Sequence, residues 1–124
     1  MKLTNLFLLT SLLILSIACN KDDPCVVEDL QYTIIGKWTV NYPRISVGNV
    51  EFKPDGTLID PSDALIGLYE GTGEKHYEVL SNSSFIATVE YNGSPSGSPI
   101  EVTSYTCDEI VLFRNSITFK LNRY

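Results

Sequence analysis

The chain has 124 residues, with 9 basic against 15 acidic side chains and a net charge of −6. An acidic body of this kind excludes the positive footprint that nucleic acid requires and a polybasic grip on anionic lipid. The length allows one domain with a single modest core, and no internal repeat of useful length divides it.

The chain opens with one positive charge, Lys2, and an apolar run from Leu6 to Ala18 that ends at Cys19. A charged start, a short apolar stretch and a small residue at its end mark residues 1–18 as a secretory signal peptide. The stretch from Leu3 to Ala18 falls short of the roughly 20 residues that span a bilayer. It also lacks the polar face of an amphipathic core helix. Ala18-Cys19 resembles the end of a bacterial lipoprotein signal, although Ser16 stands where that pattern has an aliphatic residue. The resemblance implies that Cys19 is lipidated and that the membrane is a partner through the N-terminal lipid. Stable attachment then takes more than one acyl chain, at about 0.8 kcal/mol per buried methylene. Asn20-Lys21-Asp22-Asp23 is similar to the surface-export signal of Bacteroidota lipoproteins. That implies an outer-membrane anchor, with the cell surface favoured over a periplasm-facing position. Loss of Lys2 with the leader takes the net charge from −6 to −7.

Residues 19–29 read as a lipidated tether, in which Pro24 discourages helix. With Cys19 lipidated, Cys25 and Cys107 remain as an even pair in an oxidising compartment. A disulfide between them is the favoured reading, and two unpaired thiols the alternative. It would close a loop of roughly 80 residues and stabilise by several kcal/mol. No metal is expected, because a closed zinc site takes about four ligands. Only these two cysteines and His76 are on offer.

From Leu30 onward, short alternating segments separated by turn residues point to an antiparallel all-β domain spanning 30–124. In the first strand Trp38, Val40 and Tyr42 share one face. Val50-Glu51-Phe52 and Thr57-Leu58-Ile59 flank Pro54-Asp55-Gly56, a hairpin signal in which Gly56 supplies the positive φ. Asp60 then suits a helix cap and Pro61 a first helical position. Ala64, Leu65, Leu68 and Tyr69 would share the face of a short helix. Tyr77 and Val79 face one way in the next strand; Phe85, Ala87, Val89 and Tyr91 do so in the one after. Residues 92–99, rich in Gly, Ser and Pro, read as a mobile loop. Strands follow over 100–106 and 109–114. Asn115-Ser116 reads as a tight turn, and a last strand points Ile117, Phe119, Leu121 and Arg123 inward. The sum is about eight short strands and one short helix.

The chain resembles the small lipocalin-like domain lipoproteins of the Bacteroidota. The likeness rests on Ile35-Gly36-Lys37-Trp38, on Val50-Glu51-Phe52-Lys53-Pro54-Asp55-Gly56-Thr57 and on Phe119-Lys120-Leu121-Asn122-Arg123. It implies a small antiparallel up-and-down β-barrel whose closed end pairs Trp38 with Arg123. An inward cation needs a partner, and a Trp face offers one worth about 0.5–2 kcal/mol. Tyr42, Phe52, Tyr77, Phe85, Tyr91 and Phe119 are the candidate lining of a cavity for a small apolar ligand, entered near residues 60–73 and 92–99. With strands this short, the interior has little room beyond its own side chains.

No residue pattern calls for catalysis or a cofactor. His76 lies out of phase with Tyr77 and Val79, and no Gly-x-Ser-x-Gly context surrounds a serine. Asp55, Asp60 and Asp63 lack EF-hand spacing. Glu70, Glu74 and Glu90 would have to converge in a cleft to act as acids. Asn82-Ser83-Ser84 fits a glycosylation sequon that most bacteria do not use. The expectation is a non-enzymatic, membrane-anchored module that binds a small apolar ligand. The alternative is an accessory or adaptor protein with a filled barrel that binds a protein partner.

Overall fold

In the computed structural model, residues 25–66 and 73–124 are described. The expected signal peptide, Cys19 and the expected tether up to Pro24 lie outside them, as do Leu68 and Tyr69. Among the described residues one short helix, α1 (Leu30–Thr33), precedes eight strands. These are β1 (Gly36–Tyr42), β2 (Ile45–Phe52), β3 (Leu58–Ile59), β4 (Lys75–Ser81), β5 (Ser84–Tyr91), β6 (Ser94–Tyr105), β7 (Glu109–Arg114) and β8 (Ile117–Arg123). Each pairs antiparallel with its neighbours in the order β3-β2-β1-β8-β7-β6-β5-β4, so β1 meets both β2 and β8. The result is an all-β, up-and-down barrel that is nearly closed. Its seam, between β3 and β4, is joined by the Thr57–His76 bridge and by the Tyr77 N–H donating to Gly56 O at 2.9 Å.

The interior is built by two-residue alternation. Trp38 and Val40 of β1, Phe52 of β2, Phe85 of β5, Ile100 of β6, Ile110 and Leu112 of β7 and Leu121 of β8 have no exposed surface. No space the size of a water molecule touches them. Bulges lie between Val40 and Asn41, Val79 and Ser81, and Val102 and Ser104. Each adds the local twist that curls a short sheet onto itself. At the second, Leu80 is turned out to solvent.

The expected helix after Asp60 does not form over 61–66, which runs as a chain of turns. The Asp60 carboxylate does cap: it accepts the N–H of Ala64 at 2.7 Å and of Leu65 at 2.8 Å. Those bonds span four and five residues and curl the chain inward. Asp63 then takes a positive φ of 50°, which ends the helical sense. Among the described residues a short helix lies at Leu30–Thr33, inside a stretch too brief for periodicity to reveal.

Residues 92–99 are not a loop. Asn92 and Gly93 have φ of 49° and 77°, the backbone of a two-residue hairpin turn. β5 and β6 continue to that turn, pairing Tyr91 with Ser94 and Ile86 with Pro99. The β6–β7 ladder takes in Glu101 to Tyr105, so the earlier half of β6 overhangs β7 and leaves a free edge. The Glu90 N–H points to Glu74 O, just before β4, so its partner Pro95 turns its own nitrogen to that free edge. Pro99, four residues on, does the same. Prolines remove two donors from an edge that would otherwise recruit another strand.

Candidate functional site

The two ends of the barrel differ in construction. At the α1 end, Arg123 of β8 stands beside Trp38 of β1 in the strand register. Its guanidinium lies 4.0 Å from the indole ring centroid. It does not enter the barrel as expected but lies across the opening. Nε donates to Cys107 O at 2.8 Å, Nη2 to Thr33 O at 2.8 Å and Nη1 to Ile35 O at 3.1 Å. Gly36 makes room for it. With φ at +125°, a Cβ at Gly36 would sit 2.6 Å from Nη1. The Gly-x-Trp spacing is thus explained by the arginine that must pass over it. Burial holds the Arg123 guanidinium below its ordinary range, partly offset by Asp108. Trp38 Nε1–H donates to Ile34 O at 2.8 Å, so the buried indole has its hydrogen bond.

Residues 25–29 are part of this end rather than a free tether. Cys25 and Cys107 are paired, their Cα atoms 6.1 Å apart. Asn82 of the β4–β5 turn accepts the Leu30 N–H at 3.0 Å and donates to Asp29 Oδ1 at 3.1 Å. The sequon asparagine therefore works as a helix cap supplied from another part of the chain.

At the opposite end, Ala64, Leu65 and Ile66 fold into the barrel mouth and are buried. Of the entrance expected near residues 60–73, the described residues 64–66 are thus packed inward. Asp60, buried, curls this plug through the two bonds given above. Lys75 bonds Asp60 O and the Asp63 carboxylate. Arg114 donates to Leu65 O, and the Tyr42 hydroxyl to Ala64 O at 3.4 Å. Lys75, Arg114 and the inward carboxylate of Asp60 were not legible as a set. Their common partner is a segment without periodicity, and they lie far apart in the chain.

Of the candidate lining residues, Phe52, Phe85 and Phe119 are buried in the core, and Tyr42 and Tyr77 pack against it. Tyr42 stacks on Phe119 with centroids 4.6 Å apart, and Phe52 meets Tyr77 and Phe85 edge-on at 4.9 and 5.7 Å. These residues thus pack on one another in the barrel interior. Tyr91 is not among them. It is 58% exposed, because it sits on the overhanging hairpin beyond the barrel wall. Ile117, expected inward, is likewise exposed where β8 begins. Tyr77 donates to Lys53 O at 2.5 Å; burial and then the nearby Asp55 raise its pKa above 10.0. The Asp55 carboxylate is held below 3.8, chiefly by the Thr57 N–H that donates to it at 2.9 Å.

His76 is half exposed and lies 3.6 Å from Glu74. Among the described residues, no group of three or more His, Cys, Asp or Glu side chains could hold a metal ion. Grooves lined by described residues lie on the outside, at α1, beside Ser83 and Phe113, around the disulfide and along the seam. No family model, no curated protein and no solved structure matches the chain.

Proposed function

We propose that this chain is a lipid-anchored, non-enzymatic lipocalin-like module on the outer membrane, and that it acts as an accessory or adaptor protein. Its barrel is a filled scaffold, and a protein partner meets the loops at the plug end. The observation that carries this reading is the interior itself. Trp38, Phe52, Phe85, Ile110 and Leu121 leave no water-sized space beside them, and Leu65 occupies the mouth. A carrier of small apolar ligands needs an enclosed apolar volume of a few hundred Å³. Here such a volume would require the plug and several core side chains to withdraw together.

The test pairs two measurements on the purified protein. Titration with a fluorescent naphthalene sulfonate and with a long-chain fatty acid is expected to show no saturable one-to-one binding. Photo-crosslinking in the native host, from Ser94 or Asn115, is expected to give one discrete adduct that a probe at Thr39 on the barrel wall does not give. Stoichiometric fatty-acid binding that protects Tyr42 and Leu65 from hydrogen exchange would return the carrier to first place.

A further inference from the structure

The α1 end carries a covalent tie in a place that is already well fastened. Asp29 and Leu30 are bonded to Asn82, Thr33 Oγ1 donates to Glu28 O, and Arg123 binds Thr33 and Ile35. What the Cys25–Cys107 disulfide adds is position. It moves the last fixed point of the chain from Glu28 back to Cys25. The same end also exposes apolar and aromatic side chains: Val26 at 79%, Val27 at 49%, Tyr32 at 57% and Tyr124 at 63%.

We infer that the α1 end is the membrane-proximal face, held against the lipid surface by a leash whose length the disulfide sets, so that the plug end faces outward. The inference rests on the lipid-anchor reading of Cys19. From Cys19 to Cys25 is six residues, which reach at most about 20–22 Å when fully extended. A compact domain of about 100 residues has a radius of gyration near 13 Å and measures roughly 33 Å across. Turning the plug end down onto the bilayer would lift Cys25 by nearly that full width, beyond what the leash allows. With the disulfide open, the fixed point retreats to Glu28, nine residues from Cys19. The reach becomes about 30–32 Å, close to the width of the domain, and the restriction on orientation is relaxed.

The chemistry of the face fits a lipid headgroup layer. Tyrosine has an apolar body and a polar tip, which suits a membrane–water boundary. Glu28, Asp29 and Asp108 lie at this end beside Arg123, and Asp55 beside Lys53, so no net positive patch draws this face to anionic headgroups. Proximity comes from the leash, and apolar contact follows from it. The orientation is therefore expected to persist at high salt.

The test uses the full lipidated protein in vesicles of phosphatidylethanolamine and phosphatidylglycerol, with an energy-transfer acceptor on the headgroups. A donor is attached to Pro54→Cys at the α1 end or to Ser94→Cys at the plug end, with the native disulfide oxidised. Transfer several-fold more efficient from position 54 than from position 94 is expected. Inserting ten Gly/Ser residues between Asp22 and Asp23 leaves barrel and disulfide intact and should bring the two efficiencies together. The double variant Cys25→Ser, Cys107→Ser should act in the same direction; the insertion serves where that variant does not fold. Equal transfer from the two positions in the unmodified leash overturns the orientation while the anchor reading stands. A ratio unmoved by the insertion overturns the leash as its cause. Protein that fails to float with the vesicles overturns the anchor reading, and this inference with it.

Discussion

The α1 end and the plug end close the same barrel by different means. The α1 end is closed by an indole, a guanidinium stacked on it and a disulfide. The guanidinium's donors reach the helix, Ile35 just ahead of the first strand and the β6–β7 turn. The plug end is closed by a loop held through side-chain contacts to its backbone, from Asp60, Lys75, Arg114 and Tyr42. One closure joins elements far apart in sequence through side chains that need each other. The other fastens a local segment that can open without unpairing a strand. Rigidity is thereby concentrated at one end, and local opening belongs to the other.

The largest effect should come from the covalent part of the first closure. Removing the disulfide, which spans 82 residues, is expected to lower stability by about 4–5 kcal/mol in the chain-entropy account. Denaturant titration of the oxidised and reduced protein measures it. Trp38→Ala should follow at about 3–5 kcal/mol, since it empties a fully buried site. Its losses should not add to those of Arg123→Ala. A coupling of about 0.5–2 kcal/mol in a double-mutant cycle is expected, and strict additivity would dissolve the pairing.

At the other end, Asp60→Ala leaves two buried backbone donors, those of Ala64 and Leu65, without an acceptor. A loss of about 2–3 kcal/mol is expected. In native-state hydrogen exchange, the Ala64 and Leu65 amides should exchange faster than those of Val40 and Leu121, and Asp60→Ala should speed them selectively. If plug and core amides share one opening free energy, the contrast between the ends is wrong.

The smallest effects are those of pH. Tyr77 has a raised pKa in the fold, so its contribution is present below pH 10.0 and is lost as pH rises beyond it. Tyr77→Phe should flatten the alkaline limb of the melting curve. Asp55 has a lowered pKa, so its contribution is present above pH 3.8 and fades as pH falls through the lower folded value. Asp55→Asn should blunt that acid limb slightly.

Alternation made the barrel legible. Trp38 and Val40, Phe85 through Val89, and Phe119 with Leu121 follow a strict two-residue rhythm whose inward face is apolar. The Pro54-Asp55-Gly56 and Asn115-Ser116 turns were legible through backbone chemistry, and Gly56, Asn115 and Ser116 all take positive φ. The Asn92-Gly93 turn carried an equally strong signal. It was obscured by serines and prolines that suit an edge strand as well as a loop. The plug was illegible for a physical reason. Apolar residues 64–66 with a capping Asp60 read as a helix start, and only tertiary partners such as Arg114 decide otherwise. At the α1 end, Trp38, Arg123 and the cysteine pair were found in sequence. The cap from Asn82 was not, because it acts across 52 residues.

Under the proposed lipid anchor, the overhanging edge of β6 bears on how many copies can share a surface. Proteins confined to two dimensions meet at local concentrations far above those in solution, where a single unprotected strand edge would seed chain-to-chain ladders. Pro95 and Pro99 interrupt that edge at alternate outward positions. A neighbouring strand arriving there finds acceptors without their matching donors. Crowding can then rise without the hairpin becoming a template for growth.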